Sequence, residues 1–175
     1  MKQQFREEPE NENSASLPPA GRFDGLEIFR QRVREMIERA AAESWREIIF
    51  CDPDFADWPL GERAVETALN AWSKSGGRAT LIAQGWDETQ RRHARFVNWR
   101  RRWSQLIEAR ECQSADPAAF PSAIWSPALV IERIDLGRSA GMISADARRK
   151  QELRETLSRW LHLSSPGFSA STLGL

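Results

Sequence analysis

Residues 46–84, REIIFCDPDFADWPLGERAVETALNAWSKSGGRATLIAQ, contain the signals that decide the fold. Two short apolar runs, REIIFC (46–51) and RATLIAQ (78–84), have the length and composition of buried strands. Between them, residues 61–77 repeat apolar side chains at helical spacing and stop at a Gly-Gly pair. This strand–helix–strand order predicts two parallel strands, because the helix has to cross back over the sheet.

The same alternation continues on both sides of this unit. The predicted elements are a helix over 26–45 with Asp24 as N-cap, an Arg-rich helix from Trp86, a strand over 106–112, a loop over 113–127, a β-hairpin over 128–144 and a helix over 147–163. We therefore predict an α/β fold with a mixed, mainly parallel sheet of about five strands and helices on both faces. The C-terminal β-hairpin, followed by a helix, completes it.

Length and composition indicate one domain of 175 residues, with a disordered polar leader over 1–21 and a single α/β domain over 22–175. The 25 basic and 25 acidic side chains cancel, so no overall field attracts nucleic acid or lipid. No stretch is apolar enough to cross a membrane, and no signal peptide is visible. Cys51 and Cys112 lie far apart, which favours two free thiols in the cytoplasm. No motif for a cofactor is present.

Three carboxylates and a tryptophan follow the first predicted strand: Asp52, Asp54, Asp57 and Trp58. Functional groups often gather beyond the carboxyl ends of parallel strands. A strand followed by Asp-x-Asp is also how haloacid-dehalogenase-like phosphatases begin, where the first Asp attacks phosphorus beside Mg²⁺. Here Pro53 splits the pair and no later Asp-Asp follows, so a turn is the simpler interpretation. We treat the stretch as a candidate pocket and assign no catalytic residue and no metal ligand.

Residues 91–103, RRHARFVNWRRRW, combine six arginines with His93 and three aromatic side chains. On one continuous helix the aromatics face the core, and an outward stripe remains, formed by Arg91, Arg95, Arg101 and Arg102. A platform for single-stranded nucleic acid needs exposed aromatics beside the cations, which this division takes away. The stripe could still contact nucleic acid or another anion, but a solvated helix face is favoured.

Arg92, Arg100 and His93 fall inside the apolar arc of that helical wheel. A buried arginine is costly without a partner of opposite charge. We therefore expect Arg92 or Arg100 to pair with a carboxylate near the sheet edge. The candidate partners are Asp52, Asp54, Asp57, Glu108 and Glu111. These three basic residues complete the candidate pocket.

The order of helix, IIFCDPDF, helix, RATLIAQ, Arg-rich helix, LIEAREC and hairpin resembles one half of a phospholipase D-like domain. More narrowly, it resembles an uncharacterised bacterial family of degenerate, single-half versions of that domain. The resemblance covers about residues 24–163. Its strings are CDPDFADWPL (51–60) and RRHARFVNWRRRW (91–103), together with SSPGFSASTLGL (164–175) in the tail.

The phospholipase D superfamily acts through H-x-K-x-x-x-x-D, in which His attacks phosphorus and Lys neutralises the phosphate. If Asp135 takes the Asp place, Ala128 and Val130 stand at the His and Lys positions, and neither can do that chemistry. The resemblance thus implies a pseudoenzyme, a non-catalytic binding or assembly domain of unknown ligand. Active single-half members pair, so a homodimer is compatible with it. The alternatives are anion or nucleic-acid binding through the Arg stripe, and a metal-dependent phosphohydrolase using Asp52 and Asp54.

Overall fold

The computed structural model describes residues 20–113, 116 and 119–169. Most of the predicted leader, part of the 113–127 loop and the end of the tail lie outside these residues. The helices are α1 (Leu26–Ala42), α2 (Arg63–Lys74), α3 (Asp87–Arg92), α4 (Ala94–Arg102) and α5 (Ala147–His162). The strands are β1 (Gly21–Phe23), β2 (Glu47–Cys51), β3 (Arg78–Ala83), β4 (Ile107–Glu111), β5 (Ser122–Trp125), β6 (Val130–Asp135), β7 (Ala140–Ser144) and β8 (Ser165–Pro166). None of these helices is long and apolar enough to cross a membrane.

The described strands form one sheet in the order β1-β7-β6-β5-β2-β3-β4-β8. As predicted, β2, β3 and β4 run parallel, and β6 and β7 form an antiparallel hairpin. The prediction of about five strands is wrong, since the sheet has eight. The prediction of a mainly parallel sheet is wrong as well, because the remaining five pairs of neighbouring strands are antiparallel.

The three strands that the sequence did not indicate are β1, β5 and β8, of two to four residues each. So few residues carry almost no periodicity. In addition, β5 lies between Pro121 and Pro127, which made the whole of 113–127 look like a loop. It nevertheless joins the hairpin to β2, and so places β6 within reach of the residues that follow β2.

Helices cover both faces of the sheet, as expected. The strand β2 shows the division, because Ile48 and Phe50 pack into a large core with α1, α2 and α4, whereas Ile49 and Cys51 pack into a smaller core with α5. Alternate side chains of a strand point to opposite faces, so a continuous apolar run is what a strand covered on both sides requires.

Two helix predictions need correction. Asp24 is not the N-cap of α1: that position is Gly25, whose φ of 105° suits glycine, and the Asp24 carboxylate pairs with Arg138 instead. The Arg-rich helix is not continuous, because His93 has φ −122° and ψ 57° and separates α3 from α4. A single helical wheel therefore places the side chains of α4 correctly but misplaces Arg92 on α3.

Candidate functional site

Asp52 lies one residue beyond the end of β2 and is 1% exposed. Its Oδ1 atom accepts hydrogen bonds from the backbone N–H of Asp54 (3.2 Å) and of Phe55 (2.8 Å). Its Oδ2 atom accepts from Ser122 Oγ (2.5 Å) and from Arg133 Nη2 (3.0 Å). Four donors around one carboxyl group satisfy both oxygens of a carboxylate.

Arg133, on β6, is the partner that satisfies this buried charge. Its Nε atom donates to Ser122 Oγ (3.1 Å), and Nη1 donates to Asp57 Oδ2 (2.9 Å) and, at longer range, to Ser139 Oγ (3.4 Å). The guanidinium carbon lies 4.7 Å from the centre of the Phe29 ring, a cation–π distance. We call this network, formed by Asp52, Asp57, Ser122, Arg133 and Ser139, the Asp52 cluster.

Sheet register brings the cluster together. Arg133 lies opposite Ser122 on β5 and opposite Gly141 on β7. A Cβ atom at Gly141 would lie 2.0 Å from the Glu132 carbonyl oxygen and 2.9 Å from the Arg133 Cα atom. Only glycine permits this close approach. Arg133 shares a face of β6 with Ile131, which packs in the large core, so strand alternation is the signal that could have identified it.

Burial raises the pKa of the Asp52 carboxyl above its ordinary value, while the Arg133 charge and the Ser122 hydrogen bond oppose that rise. The nearby Trp58 indole opposes it too, although its N–H is buried and does not meet the geometry of a hydrogen bond. A nucleophilic carboxylate has to reach its substrate. Asp52 instead has both oxygens occupied by groups of its own chain.

The other acidic and aromatic candidates hold the loop after β2. The Asp54 carboxylate accepts from the Ala56 N–H (2.9 Å), the pattern of an Asx turn. Trp58 is buried and packs its ring edge-on against Phe29 and Phe55. The structure thus brings Asp52, Asp54, Asp57 and Trp58 together in the turn, with Asp57 reaching Arg133.

His93 approaches this loop from the junction between α3 and α4. Its Nε2 atom lies 2.9 Å from the carbonyl oxygen of Phe55, a residue with φ 57°. Burial lowers the pKa of His93 below its ordinary value of 6.5, which favours the neutral ring with Nε2–H donating. His93 therefore anchors the turn that carries Asp52.

The expected pairing of Arg92 or Arg100 with an acid at the sheet edge is wrong. Arg92 is exposed and donates to Glu88 on its own helix (2.7 Å), because the break at His93 rotates α3 away from the arc predicted for one helix. Arg100 is buried as predicted, but its Nε and Nη1 atoms have no hydrogen-bond partner. The carboxylates Asp52 and Asp57 pair instead with Arg133, a residue that the sequence did not indicate as their partner.

The outward stripe is exposed, as the wheel predicted for α4. Arg91 pairs with Glu88 on α3, and Arg95 donates to the Gly61 carbonyl (2.9 Å) and lies 3.6 Å from Glu66. Arg101 and Arg102 form no ion pair within the described part of the chain. These two guanidiniums are the ones that could meet an external anion.

The positions aligned with H-x-K-x-x-x-x-D lie in different surroundings. Asp135 is exposed and accepts from the Arg138 backbone N–H (2.9 Å), so it is a hairpin-turn residue. Val130 is buried in the smaller core beneath α5, and Ala128 packs against the larger core. Across residues 20–113, 116 and 119–169, no three or more His, Cys, Asp or Glu side chains are grouped to hold a metal ion.

No protein-family model and no curated protein sequence matches this chain. Solved structures do match it. The archaeal chromatin protein TrmBL2, which shows a novel mode of DNA binding, superposes with a TM-score of 0.64 at 15% identity, covering 89% of this chain and 57% of TrmBL2. This chain therefore spans little more than half of that protein.

Two further matches are enzymes. Nuc from Salmonella typhimurium, a phospholipase D family member, has a TM-score of 0.56 at 14% identity, over 86% of this chain and all of Nuc. Polyphosphate kinase from Porphyromonas gingivalis has a TM-score of 0.56 at 10% identity, over 85% of this chain and 27% of the kinase. Together these matches give the chain a phospholipase D-like fold.

Proposed function

We propose that this phospholipase D-like chain is a non-catalytic binding or assembly domain, in which the Asp52 cluster holds the fold and performs no chemistry. The observation that carries the proposal is the complete pairing of Asp52. Its two oxygens receive four hydrogen bonds from the chain itself, and its side chain is 1% exposed. A phosphorus nucleophile at this position would have to break that network before meeting substrate.

The positions that would carry phosphodiesterase chemistry support the same proposal. Ala128 and Val130 have hydrocarbon side chains at the aligned His and Lys places. The two histidines of the chain are used elsewhere: His93 is bonded to the Phe55 carbonyl, and the His162 ring is bonded to the Ser158 carbonyl on α5. A degenerate, pseudoenzyme state of the fold follows from these substitutions. We also propose a cytoplasmic location, because Cys51 and Cys112 are buried free thiols.

The test is an assay of the full chain with bis(p-nitrophenyl) phosphate and p-nitrophenyl phosphate, with and without Mg²⁺. We expect hydrolysis equal to the buffer blank. Metal-dependent turnover that is lost in Asp52→Asn would overturn the proposal and establish the phosphohydrolase alternative. Sedimentation velocity across a hundredfold range of concentration tests assembly, and a homodimer is the expected species.

A second candidate function is binding of nucleic acid through the Arg stripe. The observation that favours it is the exposure of Arg101 and Arg102 without ion pairs in the described residues. TrmBL2, which shares the fold, binds DNA, and this adds weight. The overall charge of zero argues that such binding would be local and weak.

The test of this second function is a filter-binding titration with single- and double-stranded DNA and RNA at several salt concentrations. Contacts to phosphates predict affinity that falls steeply as salt rises. The variant Arg101→Gln/Arg102→Gln should lose that affinity. Its matched control is Arg148→Gln/Arg159→Gln, the same change of charge on exposed positions of α5, across the sheet. Equal loss in both variants would show non-specific attraction and reject the stripe.

A further inference from the structure

Arg100 on α4 is a buried cation that pairs with no acid among the described residues. Its side chain lies on the core-facing side of the helix and is 8% exposed. Two of its three nitrogen atoms, Nε and Nη1, are shielded from solvent and donate to no atom of the described residues. Burial lowers the pKa of Arg100, but an arginine keeps its proton at neutral pH, so the charge remains.

An open cavity of about 660 Å³ lies beside this guanidinium, at the sheet edge where β8 pairs with β4. Its lining residues are Arg100, Glu108, Ala109, Arg110, Pro166 and Gly167, with Phe168 and Ser169 at one end. This volume falls in the range of small-molecule sites. The cavity contains two arginines and one carboxylate, which leaves an excess of positive charge.

The wall of the cavity is firmly built. The Gly167 N–H donates to the Ala109 carbonyl (3.0 Å), and the Phe168 ring stacks on Trp86 with centroids 4.7 Å apart. A Cβ atom at Gly167 would lie 2.7 Å from the Glu111 Cβ atom. These contacts hold residues 166–168 against β4 and Trp86.

The nearest acid in the cavity is already engaged elsewhere. Glu108 lies 3.7 Å from Arg110 Nη1, and its side chain is 55% exposed. Arg110 is fixed in turn by the Ser164 carbonyl (2.7 Å) and hydroxyl (3.2 Å), which leaves its Nη1 edge toward Glu108. Leaving two buried guanidinium nitrogens without hydrogen bonds costs free energy that a bound anion would return.

We propose that Arg100 binds the phosphate or carboxylate group of a small molecule in this cavity, with its guanidinium turned toward the anion from the shielded position that it takes in the free chain. Unlike a contact to the exposed stripe, the bond would form at the edge of the core, so salt would screen it less than it screens surface charges. The proposal does not depend on the Asp52 cluster, and it holds whether or not the chain binds nucleic acid.

The experiment measures the melting temperature of the full chain against inorganic phosphate, acetate and chloride at fixed ionic strength. We expect a saturable rise with phosphate or acetate and none with chloride, and the anion that gives the larger rise identifies the class of ligand. Arg100→Met should lower the affinity by about tenfold or more, as expected for loss of a charge-assisted hydrogen bond. Isothermal titration with the same anion gives the affinity directly.

Two variants make the result decisive. Arg101→Met is the matched control, an adjacent but exposed arginine, and it should keep the response. Glu108→Gln should bind the anion more tightly, because a competing negative charge is removed. No saturable response in the wild type, or equal loss in Arg100→Met and Arg101→Met, would overturn the proposal. So would a destabilised Glu108→Gln variant that binds no anion, since Glu108 would then be the partner of Arg100.

Discussion

Arg133 and Arg100 are both buried arginines in the same large core layer, yet their surroundings are opposite. Arg133 meets two carboxylates, two serine hydroxyls and the face of Phe29. Arg100 has two shielded nitrogens that meet no acceptor in the part of the chain that the structure describes. A buried charge is tolerated when its partners come with it, so Arg133 completes the fold and Arg100 is left for something outside it.

The partners of a buried arginine cannot be predicted from its own helix or strand alone. Arg133 is satisfied because three other segments reach it: the loop after β2, strand β5 and the turn after β6. Ser139 and Ser122 lie 6 and 11 positions from Arg133 along the chain, whereas Asp57 lies 76 positions away. Arg100 lies on α4 beside the buried rings of Phe96 and Trp99, and no acid of the described residues pairs with it.

Removal of Arg133 should have the largest effect. Arg133→Met leaves the Asp52 carboxylate buried without its counter-charge, which should lower the free energy of unfolding by about 3–5 kcal/mol. Urea denaturation measures it. Asp52→Asn/Arg133→Met should cost less than the sum of the two single changes, because the residues interact directly. A loss under about 1 kcal/mol would contradict this prediction, because it would mean that breaking the buried pair costs almost no stability.

The next largest loss of stability should come from a substitution on β7 that crowds the Asp52 cluster. Gly141→Ala places a methyl group 2.0 Å from the Glu132 carbonyl oxygen, so β6 and β7 must separate beneath Arg133. Overpacking of this kind costs about 1–3 kcal/mol. Gly137→Ala is the control, because its nearest neighbour is the Asp135 carboxylate at 3.5 Å, and its stability should change far less. Equal unfolding midpoints for both variants would contradict the close approach.

Arg100→Met should barely change stability, or raise it, in a buffer free of phosphate and carboxylates. The hydrocarbon keeps most of the packing and removes an unpaired charge, so we expect a change within about 1 kcal/mol of wild type. Urea denaturation beside Arg133→Met gives the contrast between the two arginines. A loss of the same size in both variants would mean that Arg100 has a partner in solution.

The smallest effect concerns His93, a buried base that, unlike an arginine, can give up its proton and become neutral. Burial lowers its pKa from 6.5, so folding excludes its proton, and its contribution to stability is complete above that pH. As pH falls through 6.5 toward the folded-state pKa, that contribution is lost. Denaturation midpoints at pH 7.5, 6.5 and 5.5 should fall in the wild type and fall less in His93→Gln. His162→Gln, which replaces the exposed histidine at the end of α5, is the control; parallel slopes for all three proteins would contradict the prediction.

The long elements could be predicted from the sequence. Short apolar runs and longer amphipathic segments predicted β2, β3, β4, the hairpin and the helices to within a few residues, except for the break at His93 that divides the Arg-rich helix in two. The edge strands β1 and β8 and the Pro-flanked β5 could not, since they are too short to carry a period. Without β5, nothing in the sequence connected Arg133 to Asp52.

The sequence by itself determined the α/β alternation, the exposed face of α4, and the grouping of Asp52, Asp54, Asp57 and Trp58 in one turn, because these depend on local spacing. Only the tertiary structure decided which arginine pairs with Asp52 and which is left alone. Asp52 and Arg133 lie 81 positions apart and meet through the register of the sheet. The helix break at His93 decides in turn that Arg92 is exposed. Such contacts depend on how segments are brought together, and no local pattern encodes that.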